Sequence, residues 1–321
     1  MSAPRDGERM SVRIARREAA ATDIVALELV PADGGELPPF DAGAHLDVEV
    51  APGLVRQYSL CNPPGERHRY RLGVLRDPAS RGGSLAVHRD LIEGRLLQVG
   101  RPRNQFALAS DDRPVVLAAG GIGITPLLAM AHALHARGTP FTLHYCARSR
   151  DRAAFVAEIE GSGFGAALRL HLDDGPDAQR LSLDALFADR QAHVYCCGPE
   201  GFITHVSAGA AARDWPADQM HVEHFKAEVE QSGGAFTLEA RRSGVTVLVP
   251  EGRSAAQVLM DAGVAVPLSC EQGICGTCLV AVIEGVPEHR DEYQTDEEKA
   301  ANTHMTPCCS RARSARLVLD L

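Results

Sequence analysis

Long apolar segments are missing from this chain of 321 residues. No run of about 18 apolar residues occurs, and this absence argues against a transmembrane helix. The first ten residues, MSAPRDGERM, are polar and lack the apolar core of a signal peptide. We therefore expect a cytoplasmic protein that begins with a disordered tail over residues 1–9.

An excess of positive charge is also missing, because the formal net charge is −9 at pH 7. This acidic balance argues against nucleic acid and anionic membranes as partners, but it permits a protein partner with a positive docking surface. Residues 284–298 are rich in acidic side chains, which either dock such a partner or form a solvated surface. Internal repeats and low-complexity segments are absent, and the length predicts two or three domains.

Cysteine is plentiful, with nine residues in a chain that has no export signal. That combination predicts free or metal-bound thiols in a reducing compartment rather than disulfides. Three cysteines follow the spacing C-x4-C-x2-C, and a fourth follows the third after 29 intervening residues. This is the ligand pattern of a plant-type [2Fe–2S] cluster. The four predicted ligands are Cys270, Cys275, Cys278 and Cys308.

Two other interpretations of these cysteines are a structural zinc site and a set of buried thiols. Zinc favours pairs with short spacing, which the four-residue gap and the isolated Cys308 fit poorly. Gly273 and Gly276 lie inside the loop and allow a positive φ and a close approach of the backbone to the cluster. Backbone N–H groups of this loop are expected to point at the sulfurs. We expect the neighbouring Cys309 to be a small packed side chain.

Three segments of different character follow one another along the chain. Residues 10–110 alternate short strand patterns with Gly and Pro turns, which predicts an antiparallel β-barrel or sandwich. Residues 111–226 alternate apolar strands with helical patterns, which predicts a parallel α/β sheet. Residues 227–234 have the composition of a linker. Residues 235–321 begin with a hairpin-like pattern and a short helix, and contain the cysteine loop.

Glycines connect the first apolar strand of the α/β segment to the next helix. Gly120, Gly121 and Gly123 would place backbone N–H groups and a helix N-terminus near a pyrophosphate. The match to a dinucleotide fingerprint is incomplete, because Pro126 stands where the third glycine would be, so a plain βα turn is the alternative. A second turn, Cys197-Gly198-Pro199, ends another strand of the same predicted sheet. Both turns should therefore meet at one crevice.

The strand R-Q-Y-S-L in the first segment offers Arg56 for a phosphate, Tyr58 for stacking on a flat ring and Ser59 for a hydrogen bond. Its alternation places Arg56 and Tyr58 on one face and Ser59 on the other. Downstream, R-G-G-S supplies an arginine, two glycines and a hydroxyl as a second phosphate contact. An ordinary barrel strand followed by an ordinary turn is the alternative. The R-G-G-S residues are Arg81, Gly82, Gly83 and Ser84.

Five motifs follow one another along the chain: R-x-Y-S, R-G-G-S, G-G-I-G-I-T-P, C-G-P and the cysteine pattern. In this order they resemble the phthalate dioxygenase reductase family over nearly the whole chain. The resemblance implies an FMN-binding antiparallel barrel, an NAD-binding α/β domain and a plant-type ferredoxin domain of the β-grasp type. It also implies that Arg56, Tyr58, Ser59 and residues 81–84 bind FMN. Residues 120–126 and 197–199 would line the dinucleotide site. Ser59, Thr125 and Cys197 would lie at the reacting rings, and Phe225 would shield the flavin.

The same resemblance implies an activity. NADH would reduce FMN, and the [2Fe–2S] cluster would pass single electrons to a Rieske-type terminal oxygenase that acts on an aromatic ring or removes a methyl group from oxygen. NADH is favoured over NADPH and FMN over FAD, and a monomer is expected. Alternative functions are a reductase for a cytochrome P450 or another acceptor, and a redox sensor that uses its cluster as a switch.

Overall fold

The computed structural model describes residues 9–78, 80, 82–176, 179–225, 232–268 and 270–321. By their contacts these residues divide into two compact units, residues 9–225 and residues 232–321. All of the predicted tail except Arg9, and residues 227–231 of the predicted linker, lie outside the described residues. Within the described part, no helix has the length and apolar character needed to cross a membrane.

The first half of the larger unit is an antiparallel barrel, as predicted. Six of its strands follow the order β4-β3-β6-β1-β2-β5, and β7 pairs with β3. An antiparallel bridge between Leu60 and Leu72 joins the end of β4 to β5 and closes the barrel. The strands are β1 (Met10–Ala21), β2 (Ile24–Pro31), β3 (Ala44–Ala51), β4 (Leu54–Ser59), β5 (Tyr70–Leu75), β6 (Leu96–Val99) and β7 (Arg103–Asn104).

Alternation of apolar and polar residues produces this barrel. Along β3, for example, Leu46, Val48 and Val50 are buried while the residues between them are partly exposed. The helix α1 (Gly83–Asp90) is not predicted from the sequence. The pattern of its first residues indicates only a turn, because glycine at both 82 and 83 hides the start of a helix.

The second half of the larger unit is a parallel sheet with the strand order β10-β9-β8-β11-β12. Its strands are β8 (Val115–Gly120), β9 (Phe141–Ala147), β10 (Leu168–Leu172), β11 (His193–Gly198) and β12 (Met220–His224). The helices between them are α2 (Ile124–Arg137), α3 (Val156–Glu160), α4 (Leu183–Leu186) and α5 (Glu200–Ala211). The predicted alternation of strands and helices is thereby confirmed.

One predicted helix differs from the structure. The sequence predicts a helix from about Asp151, but the chain forms a short 3-10 turn at Arg150–Arg152 before α3 begins at Val156. Phe155, between them, has a positive φ of 64°. A non-glycine residue in that conformation interrupts a helix, and the side-chain pattern did not reveal it.

The smaller unit is a mixed sheet of five strands in the order β14-β13-β19-β15-β17, with β16 paired to β18 beside it. Its strands are β13 (Phe236–Ala240), β14 (Val245–Val249), β15 (Val280–Glu284), β16 (Pro287–Glu288), β17 (His304–Met305), β18 (Arg311–Ala312) and β19 (Arg316–Leu319). Its helices are α6 (Ala255–Asp261) and α7 (Asp296–Ala301). α6 begins at the capping box of Ser254 and Gln257 and buries Val258 and Leu259 in the core.

The acidic residues near position 296 have a local role in helix α7. Thr295 accepts a hydrogen bond from the Glu298 amide, and the Glu298 side chain accepts one from the Thr295 amide. Asp296, Glu297 and Glu298 fill the first turn, where negative charge stabilises a helix N-terminus. This structural role is sufficient to explain part of the acidic stretch.

Arg311 is the largest fully buried side chain in the part of the chain that the structure describes, at 1% exposure. Its guanidinium donates to the carbonyls of Arg253, Gly234 and Pro250 at 2.9–3.1 Å and lies 5.4 Å from the ring of Phe236. It therefore holds the beginning of the smaller unit against the loop before α6. A buried cation whose donors meet backbone carbonyls is costly to remove, because the carbonyls lose their partners.

Replacing Arg311 with methionine should lower the free energy of unfolding of the smaller unit by about 2–4 kcal/mol, since buried carbonyls are left unsatisfied. Denaturant unfolding followed by near-ultraviolet circular dichroism measures this loss. The matched control is R316M, because Arg316 is half-exposed and pairs with Glu284 and Glu239 at the surface. R316M should cost less than about 1 kcal/mol. Equal losses in the two variants would contradict the role given to Arg311.

Candidate functional site

The structure brings the two predicted flavin-binding motifs together. A Cβ built on Gly83 would lie 2.6 Å from Cγ and 2.7 Å from Nε of Arg56, so the Arg56 side chain lies directly on that glycine. Tyr58 packs against the barrel core, and burial raises the pKa of its hydroxyl. Ser59 is buried and pairs in register with His45. Arg56, Tyr58 and Ser59 thus lie beside the start of α1.

The N-terminus of α1 has the properties of a phosphate site. Gly82 caps the helix with a φ of 86°, no side chain caps the first turn, and no acidic residue lies in it. The first N–H groups and the helix dipole therefore favour an anion. The Ser84 hydroxyl accepts a hydrogen bond from the Asp77 amide at 3.1 Å, which fixes the turn. Arg81, the remaining predicted phosphate contact, lies outside the described residues.

The two predicted turns of the nucleotide site meet, as their place in the sheet requires. Strands β8 and β11 pair in parallel, with Ala119 opposite Cys197. A Cβ on Gly123 would lie 2.2 Å from the carbonyl oxygen of Cys197, and one on Gly198 would lie 2.9 Å from Cα of Gly120. Only glycine permits this approach. The backbone groups of both turns consequently line one edge of the sheet.

Other predicted residues surround that edge. Thr125 is buried, and its hydroxyl donates to the Ile122 carbonyl at 3.0 Å. Pro126 lies in the first turn of α2, where a missing N–H costs nothing. Pro199 is the residue before α5. Phe225 follows β12 and packs against the core cluster that contains Cys197. Gly121 adopts a φ of 53° at the start of the turn.

Glu223 is a residue of this edge that the sequence interpretation missed. It lies on β12 opposite Cys197, and its carboxyl oxygen is 3.9 Å from the Cys197 sulfur. Burial raises the pKa of Glu223 to about 8. Burial, and then the charge of Glu223, raise the pKa of the Cys197 thiol. Near neutral pH, the thiol therefore carries its proton, and the carboxyl is largely protonated too.

Two aspartates at the end of β10 were also missed. The amide of Asp173 donates to the Ala147 carbonyl at 3.0 Å, and that of Asp174 donates to the Arg148 carbonyl at 3.2 Å. These bonds hold the acidic pair beside the end of β9. The residues at the end of β9, Cys146, Ala147 and Arg148, offer no carboxylate to a ribose, but the pairing of β9 with β10 supplies candidates from the neighbouring strand.

In the smaller unit, the fold gathers the four predicted cluster ligands. The thiol of Cys308 lies within hydrogen-bond reach of Cys270, Cys278 and Cys309, and the thiol of Cys275 lies within reach of Cys270. Backbone amides of Gln272 and Thr277 point at the Cys270 and Cys275 sulfurs at 3.3 and 3.5 Å, as predicted. Such amides stabilise thiolates bound to iron.

The two glycines of this loop have the predicted positive φ, 77° at Gly273 and 67° at Gly276. A Cβ on Gly276 would lie 2.3 Å from the Tyr293 ring, which covers the loop. Among the described residues, no group of three or more His, Cys, Asp or Glu side chains is suited to a single metal ion. A [2Fe–2S] cluster divides four cysteines between two irons, and the gathered sulfurs fit that requirement.

Cys309 touches Cys308 but also belongs to the polar packing behind the cysteine loop. It is buried, its sulfur lies 3.2 Å from the Thr306 hydroxyl, and a Cβ on Gly273 would lie 2.6 Å from it. Ser310, next in the chain, bonds both Thr306 and the buried Asp291. Cys309 therefore belongs to a packed polar cluster behind the loop, which agrees with its predicted structural role. None of the nine cysteines, all of which the structure describes, forms a disulfide.

Comparisons with known proteins agree with this arrangement. Residues 238–313 match the family described as a 2Fe-2S iron-sulfur cluster binding domain, and this range includes the four gathered cysteines. The vanillate O-demethylase oxidoreductase of Pseudomonas sp. (strain HR199 / DSM 7063) is 50% identical, over 97% of this chain and 100% of that protein.

Two solved structures resemble the whole chain. Phthalate dioxygenase reductase, described as a modular structure for electron transfer from pyridine nucleotides to [2Fe–2S], matches with 40% identity and a TM-score of 0.76 over 98% of both chains. An intact type IV self-sufficient cytochrome P450 monooxygenase matches with 37% identity and a TM-score of 0.82. That match covers 100% of this chain and 43% of the longer protein.

The geometry predicts different effects for the two adjacent cysteines. C308S should abolish the visible absorbance of the cluster and release iron, because a sulfur next to Cys270 and Cys278 is lost. C309S should retain both, since the plant-type ligand spacing selects Cys308 and the Cys309 sulfur is held by the Thr306 hydroxyl in the polar cluster. Absorbance and iron content per chain measure the outcome without any turnover assay. Loss of iron in C309S with retention in C308S would reverse the assignment.

Glu223 should make stability depend on pH. The pKa of about 8 in the folded protein exceeds the ordinary value of 4.5, so the folded state holds a proton that the unfolded state releases between these values. The free energy of unfolding contributed by Glu223 therefore falls as pH rises from about 4.5 to 8. Relative to E223Q, the wild type should become less stable across that range in denaturant titrations.

The matched control for this pH series is E36Q, because Glu36 is an exposed carboxyl that pairs with Arg67, which stays charged throughout the range. The difference between wild type and E36Q should show no comparable trend. A wild-type minus E223Q difference that is constant from pH 5 to 9 would contradict the raised pKa.

Proposed function

This chain belongs to the phthalate dioxygenase reductase family, and on that premise we propose that it delivers electrons from NADH to a Rieske-type terminal oxygenase. Family membership makes the protein an NADH-dependent oxidoreductase that uses FMN and a [2Fe–2S] cluster. Its relatives are reductase components of oxygenase systems. The class of oxygenase that receives its electrons is our proposal.

The flavin, when bound, accepts two electrons as a hydride and releases them singly, so that a two-electron donor can supply a one-electron acceptor. This chain contributes binding and orientation. The protonated Cys197 thiol and Glu223 carboxyl, close together at the nicotinamide edge, present little negative charge to the dinucleotide near neutral pH. Neither group is needed as an acid or base for hydride transfer.

We assign FMN to the barrel of residues 10–110, with Arg56, Tyr58 and Ser59 along the ring and residues 81–84 at the phosphate. We assign NADH to residues 111–226, with the glycine turn, Thr125 and the Cys197 turn at its nicotinamide and pyrophosphate. The cluster belongs to residues 235–321. The supporting observation is the convergence of Gly123 with the Cys197 backbone and of Arg56 with Gly83.

The acidic pair at Asp173 and Asp174 supports NADH as the dinucleotide. Carboxylates can accept hydrogen bonds from the two hydroxyls of a ribose, but they repel a 2′-phosphate. Of the nearby arginines, Arg150 is engaged by Glu160 at 2.7 Å and Arg152 lies 3.5 Å from Asp23. The positive charge of these two arginines, which could otherwise attract a 2′-phosphate, is therefore partly neutralised.

A Rieske-type acceptor is supported by the order of the segments, with the ferredoxin segment last, and by the oxygenase systems of the relatives. A cytochrome P450 is the second candidate, because the same three segments occur in a self-sufficient P450 monooxygenase at 37% identity. We also propose a monomer, and a location in the cytoplasm, whose reducing conditions suit a chain with nine cysteines.

A direct electron-transfer measurement separates these acceptors. The protein, reduced anaerobically with NADH, is mixed in a stopped-flow instrument with a purified Rieske oxygenase or with a P450. We expect the Rieske centre to be reduced at least about tenfold faster, because docking surfaces of true partners are electrostatically complementary. C308S is the control, and it should reduce neither acceptor at that rate. Faster reduction of the P450 would overturn the proposed partner class.

A further inference from the structure

Strand β5 connects the predicted flavin site to the predicted nicotinamide site. Leu72 bridges to Leu60, the residue after Ser59, and the Cys61 amide donates to the Arg71 carbonyl at 3.0 Å. One residue further along, a Cβ on Gly73 would lie 2.8 Å from Cγ2 of Thr125. The backbone of β5 therefore lies between Leu60 and the Thr125 side chain and is in contact with both.

The side chain of Arg71 links this strand to the α/β half. Arg71 is 8% exposed and donates to Glu158 of α3 at 2.5 Å and to Glu18 of β1 at 3.0 Å. Its guanidinium also lies 4.7 Å from the centre of the Phe155 ring. One planar cation thus contacts a carboxylate from each half of the unit, a geometry that suits arginine and not lysine.

Phe155 is held in an unfavourable conformation at the same junction. Its φ of 64° is uncommon for a bulky residue and persists only where neighbours impose it. Those neighbours are Arg71 on one side and Gly73, whose Cβ would lie 3.1 Å from the ring. Nearby, Thr22 and Asp151 form a second joint through two hydrogen bonds of 2.7 Å.

We propose that Arg71, through Glu158 and Phe155, is a positioning residue for hydride transfer that sets the distance between the nicotinamide site at Thr125 and the flavin site at Ser59. This inference rests on the proposed function. In the reaction, a hydride leaves C4 of NADH, which becomes NAD⁺, and both of its electrons enter the flavin. The reacting atoms must be about 3–3.5 Å apart, and a displacement of about 1 Å can cost about 100-fold in rate.

The test is anaerobic stopped-flow bleaching of the flavin by NADH in R71M, with NADH and with NADH deuterated at C4. We expect the hydride-transfer rate to fall about 10- to 100-fold, with a changed isotope effect and a smaller change in the Kd of NADH. The rate from a photoreduced flavin to the cluster should be unchanged, because that step needs no nicotinamide. R71K should recover only part of the rate.

Matched variants separate positioning from stability. R69M is the control, because the carboxylates that pair with Arg69 among the described residues belong to the barrel, Glu28 at 2.7 Å and Glu66 at 2.8 Å. It should retain the wild-type hydride rate. E158Q removes the contact across the junction and should slow hydride transfer more than E18Q, which removes a contact within the barrel. If R71M loses its flavin, the comparison of E158Q with E18Q decides the question.

Two results would overturn the inference. One is a wild-type hydride rate and isotope effect in R71M or, if R71M loses its flavin, in E158Q. The other is an equal loss of rate and stability in R71M and R69M, which would show a merely structural arginine. Failure of the wild type to be bleached by NADH is a different outcome, because it would contradict the proposed function itself.

Discussion

Close packing against a glycine, where a side chain is missing, shapes each proposed site of this protein. Gly83 accommodates the Arg56 side chain at the proposed flavin strand, Gly123 accommodates the Cys197 carbonyl in the proposed nucleotide crevice, and Gly276 accommodates the Tyr293 ring on the cysteine loop. At each position a Cβ would lie within 2.7 Å of a neighbouring atom. The constraint is strictest at Gly123, because its neighbour is backbone and cannot move aside as a side chain can.

The same constraint explains what the sequence alone could establish. Spacing of Cys270, Cys275, Cys278 and Cys308, with glycines between the first three, predicts a cluster loop, because the ligand geometry is local along the chain. Apolar strands followed by glycine turns predict the parallel sheet and its crevice, since the ends of parallel strands meet at one edge. The ranges of β9 and β10 follow from their apolar runs.

What the sequence could not show depends on pairing between distant segments. Glu223 faces Cys197 only because β12 lies beside β11 in one register, and Arg71 meets Glu158 only when the barrel contacts α3. The start of α1 was hidden by consecutive glycines, and the 3-10 turn at Arg150 by an otherwise helical pattern. Neither the partly buried Glu223 nor the buried Arg71 can be recognised from the alternation of apolar and polar residues along the chain.

The central claim is that one chain combines a hydride acceptor with a one-electron carrier. The most direct test is an anaerobic coulometric titration of the purified protein, which counts the electrons taken up per chain. We expect about three electrons per chain, two entering the flavin and one entering the cluster. An uptake of about two electrons, with bleaching of the flavin and no change in the cluster absorbance, would contradict it.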